Sequence, residues 1–362
     1  MALAMILSFA ACGNEAPAEP TAPAAPAEPV APAEPDGAEE APAEPAPEPR
    51  VIHMSTNTTQ GSICDYETIH FGEILNEVSG GNLSLDIHYG GAAYNADTAI
   101  AEMMSGDVDF VLLIAGQASG IIKDVTYLTV PGFFYYDDEN PMAAYEWAQY
   151  VRDDMSAIME DFNGHYLAQR CTPPLTFGNS ATAVVSPDDM AGKVWRSSGK
   201  WFSKMAADQW GCSTTTVAAA EILTALQRGT VDGAIIHMEM FSSSQIYDVV
   251  DYSTVAPFND GAGFFVMSNE CYNSLTAQQQ AWVDEASVLF EEWVCKYQND
   301  SYDTLLQETV DAGVEVHELT QEEAFEFTKG VRELYDQMDA DATDKGLALK
   351  ATLLQWMDEH GY

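Results

Sequence analysis

Apolar positions fall into three regimes along the chain. Ala2 to Ala11 is almost wholly apolar, Gly13 to Arg50 has almost no large apolar side chain, and from Val51 onward short apolar runs alternate with amphipathic stretches. In the third regime Val51–Met54 has the character of a short strand, and Leu83–Ile87 alternates as a second one. Asp65–Val78 spaces Tyr66, Ile69, Ile74 and Leu75 at helical intervals and is closed by Gly80-Gly81. Thr98–Met104 is a helix that stops at Gly106. Val108–Ala115 is a nearly unbroken apolar run, as in a strand buried on both faces. Strand, helix, strand, helix, strand predicts an α/β sheet with helices on its faces.

The pattern then repeats. Ala181–Val185 and Lys193–Arg196 are strand candidates, Lys200–Gln209 and Glu221–Arg228 are helices, and Val231–His237 is a buried strand. Two α/β units follow, each expected to have its own core. Beyond Phe264 the chain turns helical. Thr276 with Gln279 three positions on is a capping box, and Trp282, Ala286, Leu289, Trp293 and Tyr297 share one face of a helix that runs to Gly313. A helix of more than about 30 residues is long for one domain and suits a brace between two lobes. Thr320 with Glu323 opens another helix, and a last one covers Lys345 to Asp358.

The first two regimes change the picture. Ten apolar residues cannot cross a hydrocarbon core that needs about 20 in a helix, so Ala2–Ala11 fits the apolar region of a signal peptide. Phe9-Ala10-Ala11-Cys12 resembles a bacterial lipobox, which implies cleavage after residue 11 and lipidation of Cys12. Phe9 stands where leucine is usual, and no Lys or Arg precedes the apolar run. Gly13–Arg50 is built from Ala, Pro and Glu and holds 11 of the 17 prolines, too little apolar matter to bury, so residues 12–50 are expected to be an extended tether. The chain is then an extracytoplasmic protein, lipid-anchored to the cell membrane in the periplasm or on the outer face.

Charge and cysteines narrow the function. Among 362 residues, 57 are acidic and 14 basic, a formal net charge of −43 that phosphate backbones repel, so nucleic acid is excluded as a partner. The six cysteines (Cys12, Cys64, Cys171, Cys212, Cys271, Cys295) form no CxxC pair or Cys/His cluster, so no metal site is expected; the five beyond Cys12 leave room for one or two disulfides. No nucleophile elbow, P-loop, dinucleotide fingerprint or HExxH motif occurs, which argues against an enzyme and gives no reason to expect a cofactor.

Five segments, in order, carry a resemblance. They are Glu77–Gly91 with its Gly80-Gly81 and Ile87-His88-Tyr89-Gly90-Gly91, Glu102–Phe110, Leu128–Phe134, Ser186–Arg196 (SPDDMAGKVWR) and Glu221–Gly233 (EILTALQRGTVDG). Together they resemble the solute-binding subunit of TRAP transporters, the DctP-type extracytoplasmic solute receptors. The resemblance implies an α/β, two-lobed periplasmic-binding-protein-like fold: lobe 1 at 51–173 with about 262–300, and lobe 2 at 174–261 with about 301–362. It also implies closure on a small organic acid, no catalysis, and membrane permease subunits as partners.

Arg196 takes the place of the family's carboxylate-binding arginine, a role that suits its planar pair of donors. A strand end is where open α/β sheets hold ligands. Thr176 stands where the family often has a second arginine, with Arg170 nearby but off register. Ile236 replaces a frequent asparagine and is followed by His237, and Ile114 replaces a position that is acidic in some relatives. Three polar places made neutral imply a monocarboxylate with an apolar or aromatic body. Trp195, Phe177, Trp201, Phe134, Tyr135 and His237 are further lining candidates, each weighed against simple core packing. Glu221 at a helix start and Asp232-Gly233 at a strand start have structural roles. Receptors of ABC importers or sensor kinases would share these two-lobe features.

Overall fold

The strands alternate with helices as the pattern requires. They are β1 (Arg50–Thr56), β2 (Leu83–Tyr89), β3 (Phe110–Ile114), β4 (Gly164–Cys171), β5 (Leu175–Asn179), β6 (Val194–Arg196), β7 (Ser213–Thr215), β8 (Gly233–His237), β9 (Tyr252–Ala256), β10 (Ala262–Ser268) and β11 (Glu315–Glu318). The computed structural model describes residues 46–56, 58, 60–90, 95–136, 140, 142–197, 199–218, 221–258 and 261–362. The apolar start, Cys12 and the tether up to residue 45 lie outside the described residues. Pro47 and Glu48 do not behave as tether: their carbonyls accept from Asn82 Nδ2 and Gln279 Nε2.

Two sheets result. The first has the order β2-β1-β3-β10-β4, with β1 parallel to β2 and β3 and with β10 antiparallel to β3 and β4. The second has the order β11-β9-β5-β8-β6-β7, with β6 parallel to β7 and β8 and with β5 antiparallel to β8 and β9. The chain crosses between them from β4 to β5 and back from β9 to β10. Leu175 N bonds Phe258 O at 3.4 Å and Tyr136 N bonds Pro257 O at 2.6 Å, so the two crossings lie side by side with residues 135–136 against them.

Several elements differ from the sequence reading, each for a local reason. The strand expected at Ala181–Val185 is instead β5, because Asn179 Oδ1 accepts from Ala181 and Thr182 N and its amide donates to Thr182 O, which turns the chain out of the sheet. The helical part begins at Asn269 and not directly after Phe264, because residues 265–268 complete β10, which is fully buried between β3 and β4. In the helix Ile63–Val78, Tyr66 and Ile69 face outward while Glu67, Thr68, Phe71 and Leu75 face inward. The brace, Ala277–Asp311, carries the expected capping box, but Val283, Ala286, Phe290 and Val294 form its inner face and Leu289 lies outside. Its 35 residues span about 50 Å.

The cores are not one per sheet. One continuous apolar core runs from Phe71, Phe110 and Phe265 to Phe177, Trp195 and Trp210. A smaller one, with Ile236, Met238, Phe241 and Val255, covers the other face of the second sheet and takes in Leu305 of the brace. Of the segment expected with lobe 2, β11 joins the second sheet, while the last helix and its cap attach to elements of lobe 1: Thr343 bonds Asp124, Lys345 bonds Asp161 and Thr352 bonds Asp154. Short polar side chains of that segment find carboxylates there, which fixes the last helix, Asp344–His360, on the first lobe.

Arg170 of β4 is buried and joins four elements. Its Nε donates to Glu67 Oε2 at 2.5 Å and its Nη2 to Glu239 Oε2 at 3.1 Å. Glu67 is on the helix Ile63–Val78, Glu239 on the short helix after β8, and Gln298 of the brace donates to Glu67 Oε1. Burial pushes the Glu67 carboxyl up, and Arg170 opposes that. The arginine stem passes over Gly263, where any Cβ would lie 2.6 Å from its Cγ. A Gly263→Ala variant is therefore expected to lose about 1–3 kcal/mol of stability. Arg170→Ala strands a buried carboxylate and should cost about 3–5 kcal/mol, whereas joint replacement of Arg170 by Met and Glu67 by Leu restores most of that. Urea denaturation measures both, and a parent-like midpoint for either single variant contradicts the packing described.

Candidate ligand-binding cleft

The parallel strands set the geometry of the cleft. In the second sheet β6, β7 and β8 end at Arg196, Thr215 and His237, with Arg196 paired to Thr215 and Ala234. In the first sheet β1, β2 and β3 end at Thr56, Tyr89 and Ile114. Carboxyl ends of parallel strands are where main-chain and helix-terminal donors converge. The two sets approach at the start of the helix Ile63–Val78, whose Ile63 packs against the smaller core of the second sheet. Tyr89 donates to Asp65 Oδ1 at 2.6 Å on the same helix.

Arg196 is 8 % exposed, and its guanidinium is fixed by the main chain: Nε donates to Val217 O and Nη1 to Ile235 O, both at 3.2 Å. Alternation along β6 sends Trp195 to the opposite face. There the Trp195 ring fills the space over Gly233, where a Cβ would sit 2.3 Å from it. Asp232 begins β8 by accepting from Val194 N at 2.7 Å and donating to Val194 O at 2.7 Å. Glu221 caps the helix Ile222–Gln227 by position, without a side-chain hydrogen bond to it.

The remaining candidates divide. His237 and Ile114 lie near each other's elements at the crossing. A Cβ on Gly261 would be 3.7 Å from the His237 ring and 3.5 Å from Thr172 Oγ1, and one on Gly263 would be 3.2 Å from Ile114 Cδ1. Trp201 is half-buried, with Lys200 Nζ 4.5 Å from its ring centre. Thr176 is closed off, its hydroxyl on Met238 Sδ at 3.1 Å, and Ile236 is buried in the smaller core. Trp195, Phe177 and Phe134 are corrected as lining residues, since all three are enclosed in the main core. Phe177 packs on Trp210 and Phe327, and Phe134 on Tyr136 and Trp147. Tyr135 is turned away behind the crossings, its ring 4.5 Å from that of Tyr362.

Sequence reasoning placed Arg170 near the site but missed the group it forms between these positions. Arg170, Glu67 and Glu239 occupy the floor where the lobes meet, and Thr172 Oγ1 donates to Gly261 O at 3.2 Å across the crossings. The one available signal was Glu239, an acid directly after a buried strand. Cys64 lies beside them, and burial pushes its thiol up, so it stays protonated. Cys64, Cys212 and Cys271 form no disulfide. Among the described residues no group of three or more His, Cys, Asp or Glu is placed to hold a metal, and no helix is long and apolar enough to cross a membrane.

Known proteins share this architecture and sequence pattern. Residues 54–341 match the family described as bacterial extracellular solute-binding protein, family 7, also called DctP. A solute-binding protein of Verminephrobacter eiseniae is 24% identical over 238 residues, covering 65% of this chain and 69% of its own. A TRAP periplasmic solute-binding protein from Ochrobactrum anthropi, solved with its C-terminus bound in the ligand-binding pocket, superposes with a TM-score of 0.75 at 21% identity, over 86% of this chain and 97% of its own. Another from a Sulfitobacter species, with bound β-D-galacturonate, gives 0.69 at 19% identity, over 85% and 100%. The match over residues 54–341 identifies the chain as a member of bacterial extracellular solute-binding protein family 7, a two-lobed substrate-binding subunit of the TRAP type that works with a membrane permease and is not an enzyme.

Proposed function

We propose that this receptor binds a small organic acid, a monocarboxylate with an apolar or aromatic body, by closing its lobes on a carboxylate held by Arg196. The observation that carries the reading is the guanidinium at the end of β6, oriented by the Val217 and Ile235 carbonyls. A planar cation already fixed in its plane loses little freedom on taking a bidentate carboxylate. The only other arginine at the meeting of the lobes among the described residues, Arg170, is shared by two carboxylates, so a second ligand carboxylate has no evident cation there. Ile114, half-buried at the end of β3, favours an apolar ligand body. The bound C-terminus and galacturonate of the two structural relatives are both carboxylate-bearing, in keeping with an organic acid as ligand.

Lobe 1 is taken as 51–173 with about 262–300 and the C-terminal helix, and lobe 2 as 174–261 with β11 and its neighbours. The chain works outside the cytoplasm, anchored by a lipid on Cys12 after removal of residues 1–11, and delivers its ligand to the permease subunits.

Titration calorimetry with aromatic, branched and dicarboxylic acids tests the ligand class, with binding expected from the aromatic or branched monocarboxylates. Dicarboxylates alone giving heat would overturn it. Arg196→Ala is expected to weaken binding about 100-fold, in line with loss of a charge-assisted bidentate pair, with the melting temperature of the ligand-free protein little changed. Arg196→Lys should recover only part, because an ammonium lacks the fork. For the anchor, cells fed labelled palmitate should label the parent chain but not Cys12→Ser. Equal labelling of the two removes Cys12 as the lipid site.

A further inference from the structure

A cavity of about 540 Å³ lies behind the two crossings, between them, the brace and β11. None of Arg196, His237 and Ile114 lines it. Its walls include four tyrosines, Tyr135, Tyr136, Tyr302 and Tyr362, with Glu318 and Gln298. The Tyr302 hydroxyl donates to Glu318 Oε2 at 2.7 Å, which sets the carboxylate beside the rings. Among the described residues the lining holds no Lys or Arg. Gln298 is 3 % exposed; its amide nitrogen holds Glu67, and its Oε1 has no hydrogen-bond partner among the described residues.

Each of these groups is electron-rich. Ring faces attract cations through their quadrupole, and a carboxylate supplies the counter-charge. We propose that this cavity is a second ligand site, built for a small organic cation. An anion is disfavoured by Glu318, and a purely apolar molecule leaves that carboxylate without a counter-charge. Because Gln298 also holds Glu67, the site abuts the same network that ties Arg170 to Glu239 across the lobes.

Choline is a suitable probe, with a trimethylammonium head for the rings. Its neutral isostere 3,3-dimethyl-1-butanol has the same shape without the charge. Calorimetric titration of the full chain should give saturable choline binding, with the isostere at least about tenfold weaker. Glu318→Gln should weaken choline by a similar factor, and Asn299→Arg, which adds a cation to the wall, should abolish it; both positions line this cavity, which Arg196 does not, so acid binding is unchanged in them. Arg196→Ala should keep choline binding intact. Absence of saturable heat, equal binding of the isostere, indifference to Glu318→Gln, or loss in Arg196→Ala would each overturn the second site. Since the acid is titrated separately, loss of this proposal leaves the receptor reading untouched, and the reverse also holds.

Discussion

Arg170 is a guanidinium taken almost wholly out of water, and the arrangement of the two lobes follows from how its charge is met. An ion at that depth is tolerable only when paired and hydrogen-bonded on several sides. Its partners come from the first helix, from the helix after β8 and, through Gln298, from the brace. The pairing is unequal in a useful way. Glu67 is fully buried on the helix beside the first sheet, which carries Arg170, whereas the Glu239 side chain is 14% exposed and follows β8 of the second sheet. If the lobes part, Arg170 keeps Glu67 while Glu239 passes into water. The tie can therefore open without leaving a bare charge inside the protein, the condition a closing receptor must satisfy.

The two arginines near the crossing have different surroundings because of strand register. Arg170 follows β4 over a glycine, Gly263, whose missing side chain makes room for the stem to run toward the carboxylates. Arg196 ends a three-residue strand, and its fork rests on main-chain carbonyls of the neighbouring strand and of the loop at Val217. Trp195, one residue earlier, stiffens that position from below by filling the space over Gly233. The motif SPDDMAGKVWR thus makes sense as a unit. Ser186 and Asp189 form a capping box, Trp195 plugs the core, and the final residue is delivered at the strand tip.

Much of this was legible before the structure. Caps, glycine stops and buried runs placed the first helix, the helix Lys200–Gln209, the brace and β8, because those signals are local. What escaped was non-local. β10 looks like the lead-in to a helix, yet all seven of its residues are enclosed by strands that arrive from elsewhere in the chain. Tyr66 and Ile69 seemed the inner stripe because they are apolar, whereas the true inner face holds Glu67, which only its distant partner Arg170 justifies. The aromatic candidates failed for a similar reason: Trp195, Phe177 and Phe134 bury against rings from other segments, and no spacing rule reveals that.

In a protein with a net charge of −43, the proposed capture of an anion needs an attraction that is local. At physiological salt, fields from exposed carboxylates fade over about 8 Å, so most of the acidic surface slows encounter more than it weakens the bound state. Within the closed cleft screening is far weaker, and a fixed guanidinium acts at contact distance where distant charges do not. Behind the crossings, at the proposed second site, the sign is reversed. There Glu318 adds to the general negative potential instead of opposing it, so a cation would be drawn by the whole molecule as well as by the cavity. The two proposed sites would then have opposite preferences on either side of one buried network.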